Sequence, residues 1–172
     1  TVVLKGMIQL SLAHFPRGIR GGLLDALARA PIWASLADYG HGTGHGVGYF
    51  LAVHEGPQSI SPGGAALAHT ILEPGMITSN EPGLYRPGRW GVRIENLVLT
   101  IPAGTSELGE FLAFETLTLC PIDTRCLDVT LLDARERAWL DAYHAEVRTR
   151  LTPHVDGEAR AWLLRATEPL PS

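Results

Sequence analysis

Residues 40–57 read GHGTGHGVGYFLAVHEGP, and glycine occupies every second position of residues 40–48. Successive side chains of an extended segment point to opposite faces. One face of residues 40–48, which we call the glycine-histidine segment, would therefore carry no side chains, and the other would carry His41 and His45. A bare face lets another backbone or a ligand approach closely. The pattern predicts a strand or strand-like loop suited to chemistry rather than to packing.

Two other interpretations of the glycine-histidine segment fit less well. A helix with His41 and His45 one turn apart, as in helical zinc proteases, would place glycines in its interior at a cost of about 1 kcal/mol each. It would also lack the glutamate that such a motif needs. The dinucleotide-binding spacing G-x-G-x-x-G fails as well, because His45 and Val47 stand where the third glycine is needed. The segment is therefore not predicted to hold a phosphate.

Further along the chain, two carboxylates fall at the ends of two predicted strands. Residues 76–80 indicate a short strand that ends before Glu81. Residues 92–101 indicate a second strand by their period of two, with Arg93 and Glu95 on one face. The connection between the strands is rich in proline and glycine. The two strands are therefore predicted to form a hairpin with both carboxylates near its turn.

Histidine and glutamate side chains on neighbouring strands favour a metal site. Imidazole and carboxylate ligands together suit Zn, Mn, Co or Fe, whereas Ca prefers oxygen ligands only. Each residue alone also has a structural explanation: His54 as a hydrogen-bonded loop histidine and Glu81 as a solvated strand end. Arg93 and Glu95 alone would be explained by a surface ion pair of little energy. Their joint occurrence with the alternating glycines, which weaken a purely structural strand, favours metal binding.

The composition limits the class of protein. With 172 residues, 45% of them apolar, the chain can bury one core of ordinary size, so we expect one domain or most of one. A net charge of -4 with interspersed acids and bases gives no basic surface for a nucleic acid. No apolar run reaches the roughly 18 residues of a membrane span, so we expect a cytoplasmic protein without membrane contact. Cys120 and Cys126 are too few for a disulfide framework and are expected to be reduced and partly buried.

Predicted helices flank these motifs. An apolar i, i+3, i+4 stripe predicts a helix over residues 1–15. Because this helix starts without an initiator methionine, we expect the chain to be a fragment or a processed piece. A second helix is predicted over residues 22–29, with Leu23, Leu24 and Leu27 on one side. The other predicted elements are a short helix over residues 32–39, a loop over 58–70, a strand over 111–119, a helix from Asp133 with Glu136 in a capping box, and a helix over 156–167.

Linked motifs identify a family that this chain resembles. They are GHGTGHGVG at residues 40–48, VHEGP at 53–57, LEPGMITSNEPGLY at 72–85 and GVRIENLVL at 91–99. In this order and spacing they closely resemble the pita-bread metallopeptidases, and within them the three-domain aminopeptidase P enzymes. Creatinase, prolidase and methionine aminopeptidase share that catalytic fold. The predicted helices before the first motif and the tail after residue 114 resemble the same subgroup.

The resemblance implies an α+β fold. We expect a partial pita-bread (creatinase/aminopeptidase) fold, with a curved antiparallel sheet, flanking helices and a C-terminal helical tail. Residues 1–127 would form the C-terminal part of the catalytic domain, and residues 128–172 would form the tail.

The resemblance also implies site residues. The implied metal ligands are His45, Glu81 and Glu95, the implied catalytic residues are His54 and Glu81, and the implied substrate-binding residues are His41, His54 and Arg93. Glu95 would bridge two ions, and Glu81 would double as the proton shuttle for the attacking water. His54 would hydrogen-bond the substrate near the scissile carbonyl. His41 would line the pocket for the residue after the cut, a proline, and Arg93 would brace an aspartate ligand.

The implied activity is that of a hydrolase, a metal-dependent Xaa-Pro aminopeptidase. Two divalent metal ions would serve as cofactors; the resemblance favours manganese, and zinc or cobalt would also suit the ligands. The substrate would be a peptide with proline at its second position, and a homodimer would be expected. Two alternatives remain open: a prolidase-type Xaa-Pro dipeptidase, and a non-catalytic pita-bread module that binds proteins.

One departure from the family pattern affects the metal centre. The two aspartate ligands of the family, and a further active-site histidine, come from the N-terminal half of the domain, which would precede residue 1. Asp25 and Asp38 match neither ligand by position. A two-metal centre is therefore expected only together with that missing N-terminal half.

Overall fold

The computed structural model describes residues 1–62 and 69–171. The chain forms two compact units, Val2–Thr118 and Leu119–Ser172, and Thr1 belongs to the second of them. The glycine-histidine segment and both predicted carboxylate ligands lie in the first unit.

Helices α1 (Val2–Ser11) and α2 (Gly21–Ala34) begin the first unit. α1 is shorter than predicted, because His14–Pro16 leaves the helix and forms strand β1. α2 is longer than predicted, since it runs through Pro31 and takes in the start of the predicted third helix, which is not a separate element. Burial of the inner face of α2 offsets the hydrogen bond that proline cannot make.

α2 buries its charged residues and exposes two of its leucines, which contradicts the prediction. Leu24 is buried, but Leu23 and Leu27 are exposed, so the three leucines do not share one buried side. The inner face carries Asp25 and Arg29 instead, and their side chains form an ion pair at 2.6 Å. Charged side chains are buried almost only when they are paired, and this pair meets that condition. We call Asp25 and Arg29 the buried ion pair.

The strands of the first unit pair antiparallel. In chain order they are β1 (His14–Pro16), β2 (Gly44–His45), β3 (Ser59–Ile60), β4 (Ile77–Asn80), β5 (Gly83–Arg86), β6 (Trp90–Arg93), β7 (Asn96–Ser106) and β8 (Gly109–Thr116). Within the described residues, one sheet has the order β1-β8-β7-β4, while β2 pairs with β3 and β5 pairs with β6. The α+β class is confirmed. The predicted loop over 58–70 includes β3, and residues 63–68 of it lie outside the described residues.

The predicted hairpin is confirmed and keeps one register along its length. Its turn lies beyond Arg86, however, so the prediction that both carboxylates lie near the turn is wrong. β4 pairs with β7 and, after two residues on each strand, β5 pairs with β6 in the same register. The two intervening positions are Glu81 opposite Glu95 and Pro82 opposite Ile94, and the Ile94 amide donates to the Pro82 carbonyl at 3.4 Å. The predicted strand over residues 92–101 is therefore divided into β6 and β7. The register explains why both carboxylates lie at the same level of the hairpin.

Buried apolar side chains join α1, α2 and the sheet into one core cluster. Its members are Leu10, Ala13, Phe15, Leu24, Ala28, Ile60, Leu72, Val98, Leu112 and Phe114. Alternate residues of β7 and β8 point into this core, as their period of two predicts. The core therefore fixes the hairpin strands against the helices of the first unit.

The second unit is helical, as predicted for the tail. α3 (Ala134–Leu151) begins with the predicted capping box, in which Asp133 and Glu136 exchange hydrogen bonds at 2.8 and 2.9 Å. α4 (Gly157–Ala166) follows after a short connection. The sequence-based domain division after residue 127 stays a prediction.

Both cysteines also lie in the second unit. Cys120 and Cys126 are free thiols, as predicted. Both are exposed rather than partly buried, because they lie in the connection before α3 and not in a regular element of the core.

Candidate active site

The glycine-histidine segment passes over β4, and its glycines allow close backbone contact. A methyl group added to Gly44 would overlap the carbonyl oxygen of Ser79, and one added to Gly46 would overlap that of Glu55. The predicted bare face is thus confirmed as the side on which other backbone segments approach. Within residues 40–48, which the structure describes completely, β2 is the regular strand and the rest is loop.

Ser79 connects His45 and Glu81, two of the predicted metal ligands, through hydrogen bonds. The amide of His45 donates to Ser79 Oγ at 2.9 Å. The Ser79 hydroxyl in turn donates to Glu81 Oε1 at 3.0 Å. One side chain at the end of β4 therefore positions both groups.

His45 and Glu81 meet as a nitrogen and an oxygen at 3.1 Å. His45 Nδ1 lies 3.0 Å from the carbonyl oxygen of Gly46, and a carbonyl can only accept, so Nδ1 carries a hydrogen. In the neutral ring, Nε2 then presents a lone pair to the Glu81 carboxylate. Two acceptors this close need a cation between them, either a proton or a metal ion. A neutral imidazole whose other nitrogen donates to a carbonyl is the usual form of a metal-bound histidine, so this pair fits a divalent metal.

His54 is brought back over His45 by the loop that follows the glycine-histidine segment. The Gly46 amide donates to the Gln58 carbonyl, and the Glu55 amide donates to the Gly46 carbonyl, each at 2.9 Å. The rings of His54 and His45 are 4.1 Å apart between centroids, with a tilt of 44°. The loop hydrogen bonds therefore place both imidazoles in the same cavity.

A hydrogen-bonded chain connects His41 with Arg93. His41 Nδ1 donates to the Gly42 carbonyl at 2.8 Å, so its Nε2 accepts from the Tyr85 hydroxyl, also at 2.8 Å. The same hydroxyl accepts from Arg93 Nε at 3.0 Å. Arg93 Nε also lies 3.6 Å from Glu81 Oε2. Arg93 is predicted to brace an aspartate, but no aspartate takes part in this hydrogen-bonded network. Arg93 contacts Glu81 and Tyr85 instead.

These side chains surround one cavity of about 350 Å³, which we call the candidate cavity. Its lining residues are His41, Gly42, Gly44, His45, His54, Ser59, Ser61, Glu81 and Arg93. A cavity of this volume is in the range that holds a small molecule or part of a peptide. A larger cavity of about 570 Å³ beside β1 and α2 is lined without any carboxylate and brings no imidazole-carboxylate pair together.

Glu95 is the predicted ligand that the structure does not bring into contact with the others. The hairpin register places it opposite Glu81, but its side chain is exposed and does not line the candidate cavity. Within residues 1–62 and 69–171, no three histidine, cysteine or acidic side chains form a cluster that could hold a metal ion. The ligand set of His45, Glu81 and Glu95 therefore stays a prediction.

Asp25 and Asp38 do not line the candidate cavity. Burial by itself would lower the pKa of Arg29, but hydrogen bonds with both carboxylates outweigh it and raise that pKa. Burial likewise opposes ionisation of Asp38, yet the Tyr39 amide and Arg29 hold its pKa below the ordinary value. Burial raises the pKa of Tyr39 to about 12. At neutral pH Arg29 and Asp38 are therefore ionised, whereas the Tyr39 hydroxyl is neutral.

Sequence reasoning missed two residues of the site, Ser79 and Tyr85. A signal for them exists, because they are separated from Glu81 by two and four positions on one side of the hairpin. The period of two therefore places all three side chains on one face. Neither serine nor tyrosine is a usual zinc or manganese ligand. A search of the sequence for metal-ligand residue types alone therefore does not select Ser79 or Tyr85.

Family models match nearly the whole length of the chain. The model of metallopeptidase family M24 matches residues 1–102, and a model described as the C-terminal region of peptidase M24 matches residues 110–170. The chain belongs to metallopeptidase family M24. The resemblance deduced from the four motifs is thereby confirmed.

Curated relatives of this M24 chain are aminopeptidases P. It is 47% identical to a probable Xaa-Pro aminopeptidase P from Laccaria bicolor, over 99% of this chain and 27% of the relative. It is also 47% identical to aminopeptidase P2 from Arabidopsis thaliana, over 99% of this chain and 24% of the relative. The M24 chain thus spans about a quarter of the length of the curated relatives it matches.

Solved M24 structures share the fold. An X-prolyl aminopeptidase from Caenorhabditis elegans, described as a cytosolic enzyme with a di-nuclear active site, matches with a TM-score of 0.87 and 41% identity, over 99% of this chain and 28% of that one. An Xaa-Pro dipeptidase from Bacillus anthracis matches with a TM-score of 0.53 and 33% identity, over 71% of this chain and 30% of that one. The pita-bread fold expected from the sequence is confirmed.

Proposed function

We propose that this chain is the C-terminal part of the catalytic domain of a metal-dependent Xaa-Pro aminopeptidase. The longer protein would hydrolyse the bond between an N-terminal residue and a following proline. The observation that carries the proposal is the 3.1 Å contact between His45 Nε2 and Glu81 Oε1, in a cavity shared with His54 and Arg93. High identity to aminopeptidases P over the whole chain supports it.

The metal-binding residues of this chain would be His45, Glu81 and Glu95. We propose two divalent ions, with manganese as the native metal, because the relative from Caenorhabditis elegans is described as di-nuclear and a histidine-carboxylate set accepts manganese, zinc or cobalt. Glu95, opposite Glu81 in the hairpin, would turn toward the ions and bridge them. Aspartates from the part of the longer protein outside this chain would complete the set. When bound, such ions polarise the amide carbonyl and lower the pKa of water.

The remaining roles are assigned to side chains of the candidate cavity. Glu81 would take the proton of the attacking water and pass it to the leaving nitrogen, as a flanking carboxylate can. His54 would donate a hydrogen bond near the scissile carbonyl. His41 would line the pocket for the proline, and Arg93 would hold substrate and carboxylates on the same side of the cavity.

We also propose a cytoplasmic location and a homodimer for the longer protein. The location rests on the cytosolic relative from Caenorhabditis elegans. In the described part of the chain, no helix is long and apolar enough to cross a membrane. The homodimer rests on the family resemblance of the helical tail.

The test is release of the first residue from an Xaa-Pro tripeptide by the full-length protein with added Mn²⁺. We expect release by the wild type and none by Glu81→Gln, which keeps the shape of the side chain but cannot carry the proton. No release by a folded, metal-loaded wild type would overturn the proposal.

A prolidase-type dipeptidase is the second candidate, because the Xaa-Pro dipeptidase from Bacillus anthracis also shares the fold. Hydrolysis of an Xaa-Pro dipeptide but not of the tripeptide would favour it. A non-catalytic module would hydrolyse neither peptide, although it would still be folded.

A further inference from the structure

The buried ion pair of α2 lies outside the candidate cavity but contacts the segment that forms it. Asp25 and Arg29 are one helical turn apart, and only 4% and 1% of their surfaces are exposed. Arg29 Nε donates to Asp25 Oδ2 at 2.6 Å. Replacing a buried ion pair by well-packed apolar side chains of similar volume often leaves stability unchanged or raises it. A contribution to stability alone therefore does not explain why this helix buries them.

Arg29 holds the backbone at the start of the glycine-histidine segment. Its Nη1 donates to the Tyr39 carbonyl at 2.8 Å and to the Asp38 carboxylate at 2.7 Å, and its Nη2 donates to the His41 carbonyl at 2.6 Å. The guanidinium also lies 3.9 Å from the centroid of the Tyr39 ring. A planar guanidinium with fixed donor directions restrains its acceptors more tightly than an ammonium group can. Arg29 therefore fixes the position of His41.

Asp25 reaches the other side of His41. Its Oδ1 accepts from the Thr43 hydroxyl at 2.6 Å, and that hydroxyl also contacts the hydroxyl of Tyr39. The Thr43 carbonyl accepts from the Glu81 amide at 2.7 Å. The buried ion pair thus holds the chain on both sides of His41 and, through Thr43, the backbone of Glu81.

We propose that the buried ion pair is a positioning element of the candidate active site, which sets the place of His41 in the candidate cavity. This rests on the proposed function, which assigns His41 to the pocket for the proline. His45 and Glu81 are also held by Ser79, so they keep a second restraint when the ion pair is loosened. The larger effect is therefore expected in substrate binding, and the smaller one in metal binding.

The test is the steady-state kinetics of Arg29→Lys in the full-length protein, with an Xaa-Pro tripeptide and Mn²⁺. Lysine keeps a positive charge beside Asp25, but one ammonium cannot reach Asp25, the Tyr39 carbonyl and the His41 carbonyl together. We expect KM to rise roughly 10- to 100-fold, as when a binding group is displaced by about 1 Å, while kcat and metal content change less than about threefold. A purely structural role would instead lower kcat with the folded fraction and leave KM unchanged.

Arg17→Lys is the matched control. Arg17 is an exposed arginine that also pairs with two carboxylates, those of Glu73 at 3.0 Å and Glu110 at 2.8 Å, and it does not line the candidate cavity. We expect its KM to equal that of the wild type. An equal rise of KM in both arginine variants would overturn the proposal, because it would show a general effect of losing an arginine.

A double-substitution cycle shows whether Arg29 acts through His41. His41→Ala removes the ring that the buried ion pair positions, so adding Arg29→Lys to it should raise KM little further. If KM of the double variant rises by the full product of the two single-variant factors, the proposal is overturned. So would a wild-type KM for Arg29→Lys alone.

Hydrogen exchange followed by mass spectrometry gives a measurement that does not depend on activity. In Arg29→Lys, peptides covering residues 40–46 should exchange faster than in the wild type, and peptides of α3 should not change. If the wild type releases no residue, the proposed function fails, while faster exchange at residues 40–46 still supports positioning and unchanged exchange overturns it. If Arg29→Lys does not fold, Thr43→Val, which removes the hydrogen bond to Asp25, takes its place with the same expectations.

Discussion

Ser79 illustrates how much of the candidate site depends on one small side chain. Its hydroxyl accepts the His45 amide hydrogen bond at 2.9 Å and donates to Glu81 Oε1 at 3.0 Å. Ser79→Ala removes both contacts at once. We expect the affinity for Mn²⁺ to fall about 10- to 100-fold, the usual effect of losing a group that orients metal ligands. Calorimetric titration of the full-length protein with Mn²⁺ measures the change.

Ser106→Ala serves as the control for this prediction. Ser106 is exposed at the end of β7, where its hydroxyl accepts the Leu108 amide hydrogen bond at 3.1 Å. We expect Mn²⁺ affinity in this variant to match the wild type. Equal affinities in Ser79→Ala and Ser106→Ala would show that His45 and Glu81 do not need Ser79.

At the scale of single residues, the sequence indicates which side chains can do chemistry but not what holds them. His45 and Glu81 are predictable, because their types and their linked motifs point to metal binding. The role of Arg29 is not predictable, because the two backbone carbonyls that it binds come near only when α2 packs under the glycine-histidine segment. Leucine spacing alone predicts the wrong buried side of that helix.

At the scale of elements, the alternating glycines can be tested individually. A methyl group on Gly44 would overlap the Ser79 carbonyl, whereas one on Gly40 would meet nothing within 4 Å. We expect Gly44→Ala to lower the free energy of unfolding by about 1–3 kcal/mol, the usual cost of overpacking. Gly40→Ala should change it by less than about 0.5 kcal/mol, as surface substitutions do. Thermal unfolding of both variants measures the difference, and equal losses would contradict the proposed close approach.

The hairpin is the element that the sequence predicts best. Its two strands follow from the period of two and from the proline and glycine in the connection. The connection itself forms β5 and the start of β6, which the sequence does not indicate, because a run with several glycines and prolines has no clear strand signal. The break between β6 and β7, which includes Glu95, is likewise visible only in the strand pairing of the structure.

α3 carries a histidine that should make the second unit sensitive to acid. Burial lowers the pKa of His144 below its ordinary value, and its Nε2 accepts the Ile122 amide hydrogen bond at 3.1 Å. The unfolded chain takes up a proton near pH 6.5, and the folded chain does so only at lower pH. Stability should therefore be complete above about pH 7 and fall as the pH drops through 6.5, by at most about 1.4 kcal/mol per pH unit.

Hydrogen exchange of α3 peptides between about pH 7.5 and 5.5, corrected for the intrinsic rate, measures this loss. His144→Gln can still accept the Ile122 amide but does not titrate, so we expect a flatter pH dependence. His154→Gln, at an exposed position of the same unit, should keep the wild-type profile. An unchanged profile in His144→Gln would contradict the assignment.

At the scale of the whole molecule, the family and the fold are predictable because several motifs occur in a fixed order. Each motif alone, such as H-G-T-G-H, is too short to identify a family. The convergence of ligands is predicted only in part, since His45 contacts Glu81 while Glu95 remains exposed. A sequence can show that candidate ligands come from neighbouring strands, but the directions of their side chains depend on local packing and on any bound ion.

The last prediction follows from that incomplete ligand set. Among the residues that the structure describes, no three candidate ligands converge on a common ion, and the chain spans about a quarter of the length of its curated relatives. We therefore expect the 172-residue chain by itself to bind Mn²⁺ weakly and to release no residue from an Xaa-Pro tripeptide. The longer protein should bind Mn²⁺ more tightly and should release the first residue. Electron paramagnetic resonance of free Mn²⁺ and an amino-acid release assay measure the two quantities, with circular dichroism to verify folding. Hydrolysis by the isolated chain that His45→Ala abolishes would show that this chain completes the metal centre without the rest of the protein.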